Sequence, residues 1–436
     1  MQSNTATKTD SVVQTTPTQI SKFINSKYAW FVLSAGWLFY VYEYFLRASP
    51  SVMTDQLMAH YSITAGTLGV LVSCYYMAYV PLQLPCGLFV DYLGPRKIVT
   101  LSACICVIGT LLMSTTDHLV IAKIGRFLTG AGSACAYLAC MKIASVWFDR
   151  SKFALIAGIS QMLGALGGMV ANSPLAFVVN TYGWQSTLFY SGIFGFLVIM
   201  ISWLVIRDCP PDVQSPKPTF KGNTLQDLKI IVRNSQNILV ACYGLLTNLV
   251  INVFAELWGV PFLMARYDLT NDIASGGTTA VFIGFALGCL LSALFADFLK
   301  SHIKVMSMSA FVILFGFSLV IWAPVPFYLT LAILFVTALF AGMQILYFTV
   351  ATCNSPKTAA GTTIGFINTF VVLGGMLFQP ILGKVIELFW DGSVKETGVP
   401  NYSLFAYQCS LSLLLICALA AFGITYFIHE TYKVRK

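Results

Sequence analysis

The sequence GLFVDYLGPRK at residues 87–97 interrupts two long apolar runs of the chain. An apolar run of about 20 residues crosses the hydrocarbon core of a membrane as a helix, so this stretch is typical of a short turn between two spanning helices. Its first glycine lets helices approach closely, its second permits a tight turn, and its aspartate can hold a helix end or a basic partner. We therefore expect five of its residues to act in conformational gating and not in ligand contact: Gly87, Asp91, Gly94, Arg96 and Lys97.

The composition of the whole chain is that of a membrane protein. Of the 436 residues, 57% are hydrophobic and 10% are charged, and the mean hydropathy is +0.78. A soluble domain has about 45 to 50% apolar and about 25% charged residues, so this chain lacks the charge to cover a water-facing surface. This excludes a soluble enzyme and a nucleic-acid-binding protein. The sequence has no Gly-Lys-Ser/Thr loop for ATP phosphates, and we expect neither a cofactor nor a metal.

Twelve apolar runs predict an all-α polytopic membrane protein. The predicted spans lie near residues 29–50, 67–90, 98–116, 119–141, 153–178, 186–206, 237–264, 277–298, 303–323, 327–350, 360–389 and 402–428. The Pro-rich and basic segment 207–236 divides them into two groups of six. We therefore predict a tail at 1–28, a six-helix bundle at 29–206, a linker at 207–236, a second bundle at 237–428 and a tail at 429–436.

The basic residues predict how the chain is oriented. Most of the 25 Lys and Arg residues fall on the side of the membrane that carries both termini, while the loops on the other side hold only Arg266 and Lys395. Basic loops stay in the cytoplasm, so we predict that both termini are cytoplasmic. The net charge of +8 then follows from topology and requires no nucleic-acid partner.

Spans five and eleven contain an internal repeat. Each has a glycine, a polar residue three positions later, and a Gly-Gly-Met sequence that begins nine positions after the first glycine. The matching residues are Gly158, Gln161 and Gly167 to Met169 in span five, and Gly365, Asn368 and Gly374 to Met376 in span eleven. A repeat at corresponding places in the two halves indicates a duplicated six-helix unit.

Two motifs resemble those of a known family. Residues 87–97 resemble the loop signature of the major facilitator superfamily, Gly-x-x-x-Asp-(Arg/Lys)-x-Gly-x-(Arg/Lys)-(Arg/Lys), and depart from it at Tyr92. The corresponding stretch of the second half, 293–304, is less well preserved, and we expect its Asp297 to share the gating role. Residues 125–132, with Arg126 near their start, resemble the family's signature in the fourth helix. The resemblance implies two pseudo-symmetric six-helix bundles that rock around a central site.

A closer resemblance concerns residues 45–53, FLRASPSVM, and Lys142 ahead of the sequence VWF at 146–148. Together with the glycine run of span five, they resemble the phagosomal transporter group of intracellular gamma-proteobacteria. That resemblance implies a location in the bacterial inner membrane and uptake of amino acids or nucleosides.

Charged residues inside spans are candidates for the functional site, because inserting each one costs about 2.5 to 3.5 kcal/mol. Glu43 in span one, Arg126 in span four and Glu256 in span seven have similar predicted depths. In the family that the sequence resembles, spans one, four, seven and ten line the central cavity. We predict that Arg126 attracts a substrate carboxylate or pairs with Glu43, and that Glu43 or Glu256 takes up the coupling proton.

Other polar residues extend this predicted site. Four residues of span one recur at helical spacing and share a face: Tyr40, Glu43, Tyr44 and Arg47. The predicted substrate-binding residues are Tyr40, Glu43, Tyr44, Arg47, Arg126, Gln161, Asn248, Asn252, Glu256, Gln344 and Asn368. Structural roles remain open, since Glu43 and Arg47 can form an i,i+4 pair, Arg126 can brace the first bundle, and amides can join helices. We attribute three tyrosines of span two mainly to packing and the aromatic belt: Tyr75, Tyr76 and Tyr79.

These features predict secondary active transport, namely a proton-coupled symporter that imports a small polar nutrient such as an amino acid or a similar zwitterion or anion. The alternative is proton-coupled export of drugs or metabolites. Antiporters of the family usually have a Gly-Pro step in the fifth-span glycine run, whereas here Gly164 precedes Ala165 and Gly168 precedes Met169. A sensor or scaffold without transport is a third possibility. The expected partners are a small-molecule substrate, protons and the lipid bilayer, with the protein as a monomer.

Overall fold

The computed structural model describes residues 23–212, 224–356, 359–395 and 398–431. Much of the predicted tails, 1–28 and 429–436, and of the predicted linker, 207–236, lies outside the described residues. Eleven helical segments of the described chain are long and apolar enough to cross a membrane. The first helix, with 22 residues, is long enough to be the twelfth, although the charges of Glu43 and Arg47 lower its hydropathy.

We number the twelve long helices α1 to α12. Their bounds are α1 Lys27–Ala48, α2 Ala65–Leu93, α3 Pro95–Thr115, α4 Leu119–Trp147, α5 Ser151–Tyr182, α6 Trp184–Val205, α7 Ser235–Tyr267, α8 Asn271–Leu299, α9 His302–Trp322, α10 Phe327–Cys353, α11 Gly361–Leu388 and α12 Leu404–Thr425. Shorter helices cover Ser49–Val52, Thr54–Tyr61 and Thr224–Arg233. The predicted all-α polytopic fold is confirmed.

Several of the long helices are interrupted near their middle. Helix α4 pauses between Ser133 and Ala136, and α10 pauses between Met343 and Leu346. Helix α7 contains a π-helical segment, Val250–Trp258, which an apolar periodicity of 3.6 does not predict. These interruptions fall at mid-membrane positions, where irregular backbone is tolerated only if it is buried in protein or lines a cavity.

The two halves, α1 to α6 and α7 to α12, meet along two helix pairs. Helix α2 packs on α11, and α5 packs on α8. In places the backbones of these helices touch each other. A Cβ atom added to Gly69 would lie only 2.8 Å from the Cα of Pro380, and one added to Gly383 would lie 2.9 Å from the carbonyl carbon of Ala65. The glycines of α2 and α11 are therefore needed for close approach.

The two ends of this contact differ. We call the end where α1 begins and α12 ends the terminal end, and the opposite one the far end. At the far end Asp55 pairs with Lys395 at 2.7 Å, and Glu387 accepts from the backbone N–H of Gly66 at 2.8 Å. At the terminal end a Cβ atom added to Gly158 would lie 3.7 Å from its nearest neighbour, the side chain of Leu290 in the other half, which is an ordinary van der Waals distance. The far end is closed by polar bonds, and the terminal end is packed more loosely.

Further polar bonds close the far end between α5 and α8. The side-chain oxygen of Asn172 accepts from the hydroxyl of Thr278 at 2.6 Å, and the hydroxyls of Ser173 and Thr279 lie 2.9 Å apart. The side chain of Asn271 also donates to the carbonyl of Val52 at 2.7 Å. Both helix pairs are thus held together at this end by side chains from both halves.

Candidate functional site

A cavity of about 60 Å³ lies between the two halves near the middle of the helices. Seven of the predicted substrate-binding residues line it: Tyr40, Tyr44, Arg47, Gln161, Asn248, Asn252 and Asn368. Tyrosines from three other helices line it as well: Tyr79, Tyr137 and Tyr347. Both halves therefore contribute polar side chains to one central cavity, with a guanidinium group at its wall.

The charges of α1 form a buried ion pair. One terminal nitrogen of Arg47, Nη2, lies 2.9 Å and 3.2 Å from the two carboxylate oxygens of Glu43. The hydroxyl of Tyr75 donates to the same carboxylate at 2.9 Å and accepts from Arg47 Nε at 3.1 Å. Glu43 is fully buried and Arg47 is 6% exposed. The spacing of i,i+4 places the pair on one face of α1, and Tyr75 of α2 fixes its geometry.

Aromatic rings surround the guanidinium of Arg47. Its central carbon lies 4.3 Å from the ring centre of Tyr44, 5.1 Å from that of Tyr79 and 5.5 Å from that of Tyr75. Cations within about 6 Å of an aromatic face are attracted by it, and more strongly where water is excluded. The rings therefore keep a charged group stable at the wall of the cavity.

Arg126 does not pair with Glu43. It donates to the backbone carbonyls of Leu46 at 2.9 Å and Arg47 at 3.3 Å, where α1 approaches its end. Pro50 has no N–H to donate to the carbonyl of Leu46, which accepts from the hydroxyl of Ser49 at 3.0 Å and from Arg126. The guanidinium therefore braces the end of α1. The ion-pair partner of Glu43 is Arg47 on the same helix. Arg126 has the structural role of bracing the first half, and it does not line the central cavity.

Glu256 lies in the π-helical segment of α7 and is buried without an ion-pair partner within 4 Å among the described residues. The hydroxyl of Tyr76, from the other half, donates to one of its oxygens, Oε2. Its second oxygen, Oε1, has no hydrogen-bond partner in the described part of the chain. Glu256 does not line the cavity, although it lies in the electrostatic field of Arg47 and Arg126.

Asn248 and Asn252 line the cavity and Gln344 does not, but all three amides make bonds between helices. Gln344 donates to Asn248 at 3.0 Å, and the carbonyl oxygen of its amide is buried without a described partner. Asn252 donates to the carbonyl of Val371 at 2.9 Å.

The two amides that the repeat relates both line the cavity but have different partners. Gln161 accepts from the hydroxyl of Tyr40 in its own half at 3.3 Å, and Asn368 donates to Gln83 of the other half at 2.9 Å. Equivalent places in α5 and α11 thus supply one amide from each half to the same cavity.

The predicted gating loop lies at the terminal end, away from the cavity. Lys142 of α4 pairs with Asp91 at 2.6 Å, and Arg96 donates to the carbonyl of Trp203 at 2.9 Å while covering its ring. Gly94 has a φ of +81°, which favours glycine. The loop thus joins α2 and α3 to α4 and α6 within the first half.

Gly87, Lys97 and Asp297 complete the predicted gating set. A Cβ at Gly87 would have open space around it. Lys97 and Asp297 are exposed at the ends of α3 and α8. The geometry therefore supports a clamp within the first half and leaves the gating role of these three as a prediction.

The tyrosines that α2 and α4 bring to the site were not predicted there. Tyr75 and Tyr76 each donate to a buried carboxylate, and Tyr79 stacks on Tyr75 at a ring distance of 5.6 Å. A signal existed for Tyr137, because it follows the interruption of α4 as Tyr347 follows that of α10. Equivalent tyrosines after equivalent breaks indicate a cavity and not a lipid-facing belt.

Comparisons with known proteins agree with this architecture. Residues 34–379 match the family model described as Major Facilitator Superfamily. The chain is 21% identical over 415 residues to the membrane sensor protein UhpC of Salmonella typhimurium, covering 88% of this chain and 90% of that protein. It is also 21% identical over 413 residues to the "Probable galactarate/D-glucarate transporter GarP" of Escherichia coli K12, covering 86% and 90%. A match to the uncharacterized transporter YybO of Bacillus subtilis, at 25% identity, spans only 40% of either protein.

Solved structures show the same fold. A bacterial homologue of the human lysosomal transporter Spinster superposes with a TM-score of 0.75 at 15% identity, covering 92% of this chain and 97% of that one. The nucleoside transporter NupG, as its D323A mutant, gives a TM-score of 0.71 at 12% identity, covering 91% and 99%. The family model covers most of the chain, which therefore belongs to the major facilitator superfamily and is a secondary transporter, not an enzyme.

Proposed function

We propose that the chain is a proton-coupled symporter that imports a small nutrient carrying a carboxylate, such as an amino acid or a similar zwitterion or anion. One observation carries the proposal: the guanidinium of Arg47 lies at the wall of the central cavity while it holds Glu43. Guanidinium groups recognise carboxylates through two parallel hydrogen bonds, so a substrate anion can share or replace Glu43 as the partner.

An exchange of carboxylate partners at Arg47 can couple substrate binding to proton binding. A substrate carboxylate that enters the cavity competes with Glu43 for the same guanidinium. A buried carboxylate without its cation is costly as an anion, so the released Glu43 takes up a proton instead. Substrate binding and proton binding then favour each other, which is the requirement for symport.

Glu256 is the second proposed proton carrier, and it connects protonation to the contact between the halves. Its hydrogen bond from Tyr76 crosses from α7 to α2. Protonation of the carboxylate weakens a bond that depends on its negative charge, because charge-assisted hydrogen bonds are roughly twice as strong as neutral ones. Loss of that bond favours separation of the halves at this depth.

The names of related proteins support an acidic substrate. Relatives of the chain are described as transporters of sulfoacetate, of galactarate and D-glucarate, and of hexuronate. All of these solutes are organic acids. The predicted resemblance to the phagosomal transporter group favours amino acids or nucleosides, and an amino acid meets both expectations because it carries a carboxylate.

We further propose that the terminal end faces the cytoplasm of a bacterial inner membrane. The distribution of Lys and Arg supports this orientation. The closed far end would then face outward, and the central cavity would open inward. Its volume of about 60 Å³ is well below the roughly 300 to 1,000 Å³ of ligand pockets, so the halves must separate for substrate to bind.

A ligand screen on the purified full chain tests the proposal. Each acid is compared with its primary amide in a thermal-shift assay, since a ligand of the native state raises the melting temperature. We expect amino or sugar acids to stabilise the protein and their amides to have little effect. Acids that bind are then tested in proteoliposomes for uptake driven by an inward proton gradient. Stabilisation only by bulky hydrophobic cations would overturn the proposal in favour of export.

A sensor is the second candidate, and the similarity to UhpC over 88% of the chain favours it. A sensor of this fold binds its ligand without accumulating it. The proteoliposome assay separates the two functions, because saturable binding without uptake under any proton gradient would assign the chain to sensing.

A further inference from the structure

A second cavity, of about 350 Å³, lies at the far end, and we call it the far-end pocket. Its wall includes Asp55 from the first half and Asp268, Lys395, Tyr402 and Tyr407 from the second. It shares no residue with the lining of the central cavity. The volume lies within the usual range of sites for small ligands, which is about 300 to 1,000 Å³.

The charges of the far-end pocket leave one carboxylate without a partner. Lys395 is the one cation of the described lining, and its Nζ lies 2.7 Å from Asp55 Oδ2. Asp268 has no ion pair or side-chain hydrogen bond in the described part of the chain. The nearby Arg266 does not line the pocket, because it donates to the backbone carbonyls of Ile321 and Ala323. The described lining of the pocket therefore carries one excess negative charge.

Tyr407 provides a second and independent observation. The residue is only 5% exposed, and its hydroxyl has no hydrogen-bond partner among the described residues. Because Tyr407 lines the pocket, its hydroxyl can form a hydrogen bond with a ligand that enters. The ring of Tyr402 lies 6.4 Å from that of Tyr407 at an angle of 83°, which is an edge-to-face contact, and both residues line the pocket.

The hydroxyl of Tyr402 is also available to a ligand. It accepts from the backbone N–H of Ala65 in the other half at 2.9 Å, which leaves its own proton free to donate. Burial raises the pKa of Tyr402, so this proton is retained at neutral pH.

From this arrangement we propose that the far-end pocket binds the ammonium group of a small organic cation or zwitterion. Asp268 supplies a free carboxylate, and the ammonium competes with Lys395 for Asp55. Methylene or methyl groups beside the charge pack against the two tyrosine rings, as cations do on aromatic faces. The proposal holds whether or not the central cavity transports an acid, because the two cavities have different linings.

Occupancy of the pocket changes the contact between the halves. Asp55 and Lys395 belong to different halves, and their ion pair is one of the polar bonds that close the far end. A ligand ammonium that takes over Asp55 releases Lys395 and removes that bond. The pocket can therefore act as a first contact site whose occupation favours opening of the far end.

The test uses choline as the cationic probe and 3,3-dimethylbutan-1-ol, its uncharged isostere, as the matched control. Both are titrated against the purified full chain in detergent, with the melting temperature as the readout. We expect choline to raise the melting temperature in a saturable way and the alcohol to leave it unchanged. Asp268→Asn should weaken choline binding about tenfold, because it removes the negative charge that attracts the quaternary ammonium. Tyr407→Phe should weaken binding about threefold, because it removes a hydrogen-bond partner for the hydroxyl of choline. Asparagine suits the left-handed backbone at this position, where φ is +51°.

Two further variants keep the test decisive. Lys395→Met removes the competitor for Asp55 and should tighten choline binding. Glu43→Gln alters the central region through bonds that lie within the first half, and it should leave choline binding unchanged. Equal stabilisation by the alcohol, or choline binding that Asp268→Asn leaves intact, would overturn the proposal. So would loss of choline binding in Glu43→Gln, since that would place the choline in the central region.

Discussion

The two buried carboxylates among the described residues, Glu43 and Glu256, differ in how they are held. Glu43 in α1 receives hydrogen bonds from Arg47 and Tyr75, all within the first half. Glu256 in α7 receives one hydrogen bond, from Tyr76 of the opposite half, and keeps one oxygen without a described partner. Neighbouring tyrosines of α2 thus serve two different carboxylates, one on each side of the contact between the halves.

This difference assigns the two carboxylates different tasks. The bonds of Glu43 move with the first half as one body, so rocking of the halves leaves them intact. The bond of Glu256 has to break when α2 and α7 separate, because its donor and acceptor lie on different bodies. Glu43 is therefore suited to sense the substrate through Arg47, and Glu256 is suited to control when the halves move.

The largest effect is expected for Arg47→Met, which leaves Glu43 buried without its cation. Removing one partner of a buried ion pair costs about 3 to 5 kcal/mol of stability. The proposed contact of the substrate carboxylate is lost as well, so uptake should fall at least about 100-fold. Melting curves in detergent and uptake into proteoliposomes measure the two effects.

The double variant Arg47→Met with Glu43→Gln is the control for this change. It removes both charges, so most of the decrease in melting temperature caused by Arg47→Met should be recovered while uptake stays low. If the double variant transports at the wild-type rate, the pair is structural and the comparison between the carboxylates loses its functional meaning.

A smaller effect is expected for Glu43→Gln alone. The amide oxygen of glutamine can still accept from Arg47 and Tyr75, so the melting temperature should change little. It cannot exchange a proton, and uptake driven by a proton gradient should fall about tenfold or more. Wild-type uptake by this variant would assign Glu43 to a structural i,i+4 pair.

The tyrosines of α2 offer a matched pair of small changes. Tyr76→Phe removes only the hydroxyl that crosses between the halves, whereas Tyr75→Phe removes one that acts within the first half. Each deletes a hydrogen bond to a carboxylate, worth about 1.5 to 3 kcal/mol. We expect Tyr75→Phe to lower mainly the melting temperature and Tyr76→Phe to change mainly the transport rate. Equal effects of the two variants on both readouts would contradict the division of tasks.

The smallest effect is expected for Lys395→Met, which removes one exposed ion pair between the halves at the far end. Such pairs are worth about 0.2 to 1 kcal/mol, so the far end should open slightly more often. Distances between spin labels on the two halves at that end report the change. Lys142→Met is the control, because its pair with Asp91 lies within the first half. A shift of equal size in the control would show that the ion pair between the halves has no special role.

The sequence predicted the parts of this arrangement that depend on local spacing. The twelve apolar runs give the helices, and the positions of Glu43 and Arg47 at i and i+4 place both on one face of α1. The repeat in α5 and α11 likewise places Gln161 and Asn368 at equivalent positions. Each of these inferences needs only the periodicity of a helix and the length of a span.

Contacts between distant helices could not be predicted in this way. The bond between Tyr76 and Glu256 depends on how α2 and α7 pack, and no spacing within either helix encodes it. Equal depth made Arg126 a plausible partner for Glu43, but depth does not fix rotation about the helix axis. Arg126 donates instead to the carbonyls of Leu46 and Arg47 near the end of α1.

The most direct test of the proposed coupling compares wild type and Glu256→Gln in the same proteoliposome preparation, using a substrate found by the acid and amide screen. Two rates are measured: accumulation driven by an inward proton gradient, and exchange of labelled for unlabelled substrate without a gradient. If Glu256 ties protonation to movement of the halves, accumulation collapses by about tenfold or more while exchange continues. Accumulation at the wild-type level, or equal loss of both rates, would contradict this role for Glu256.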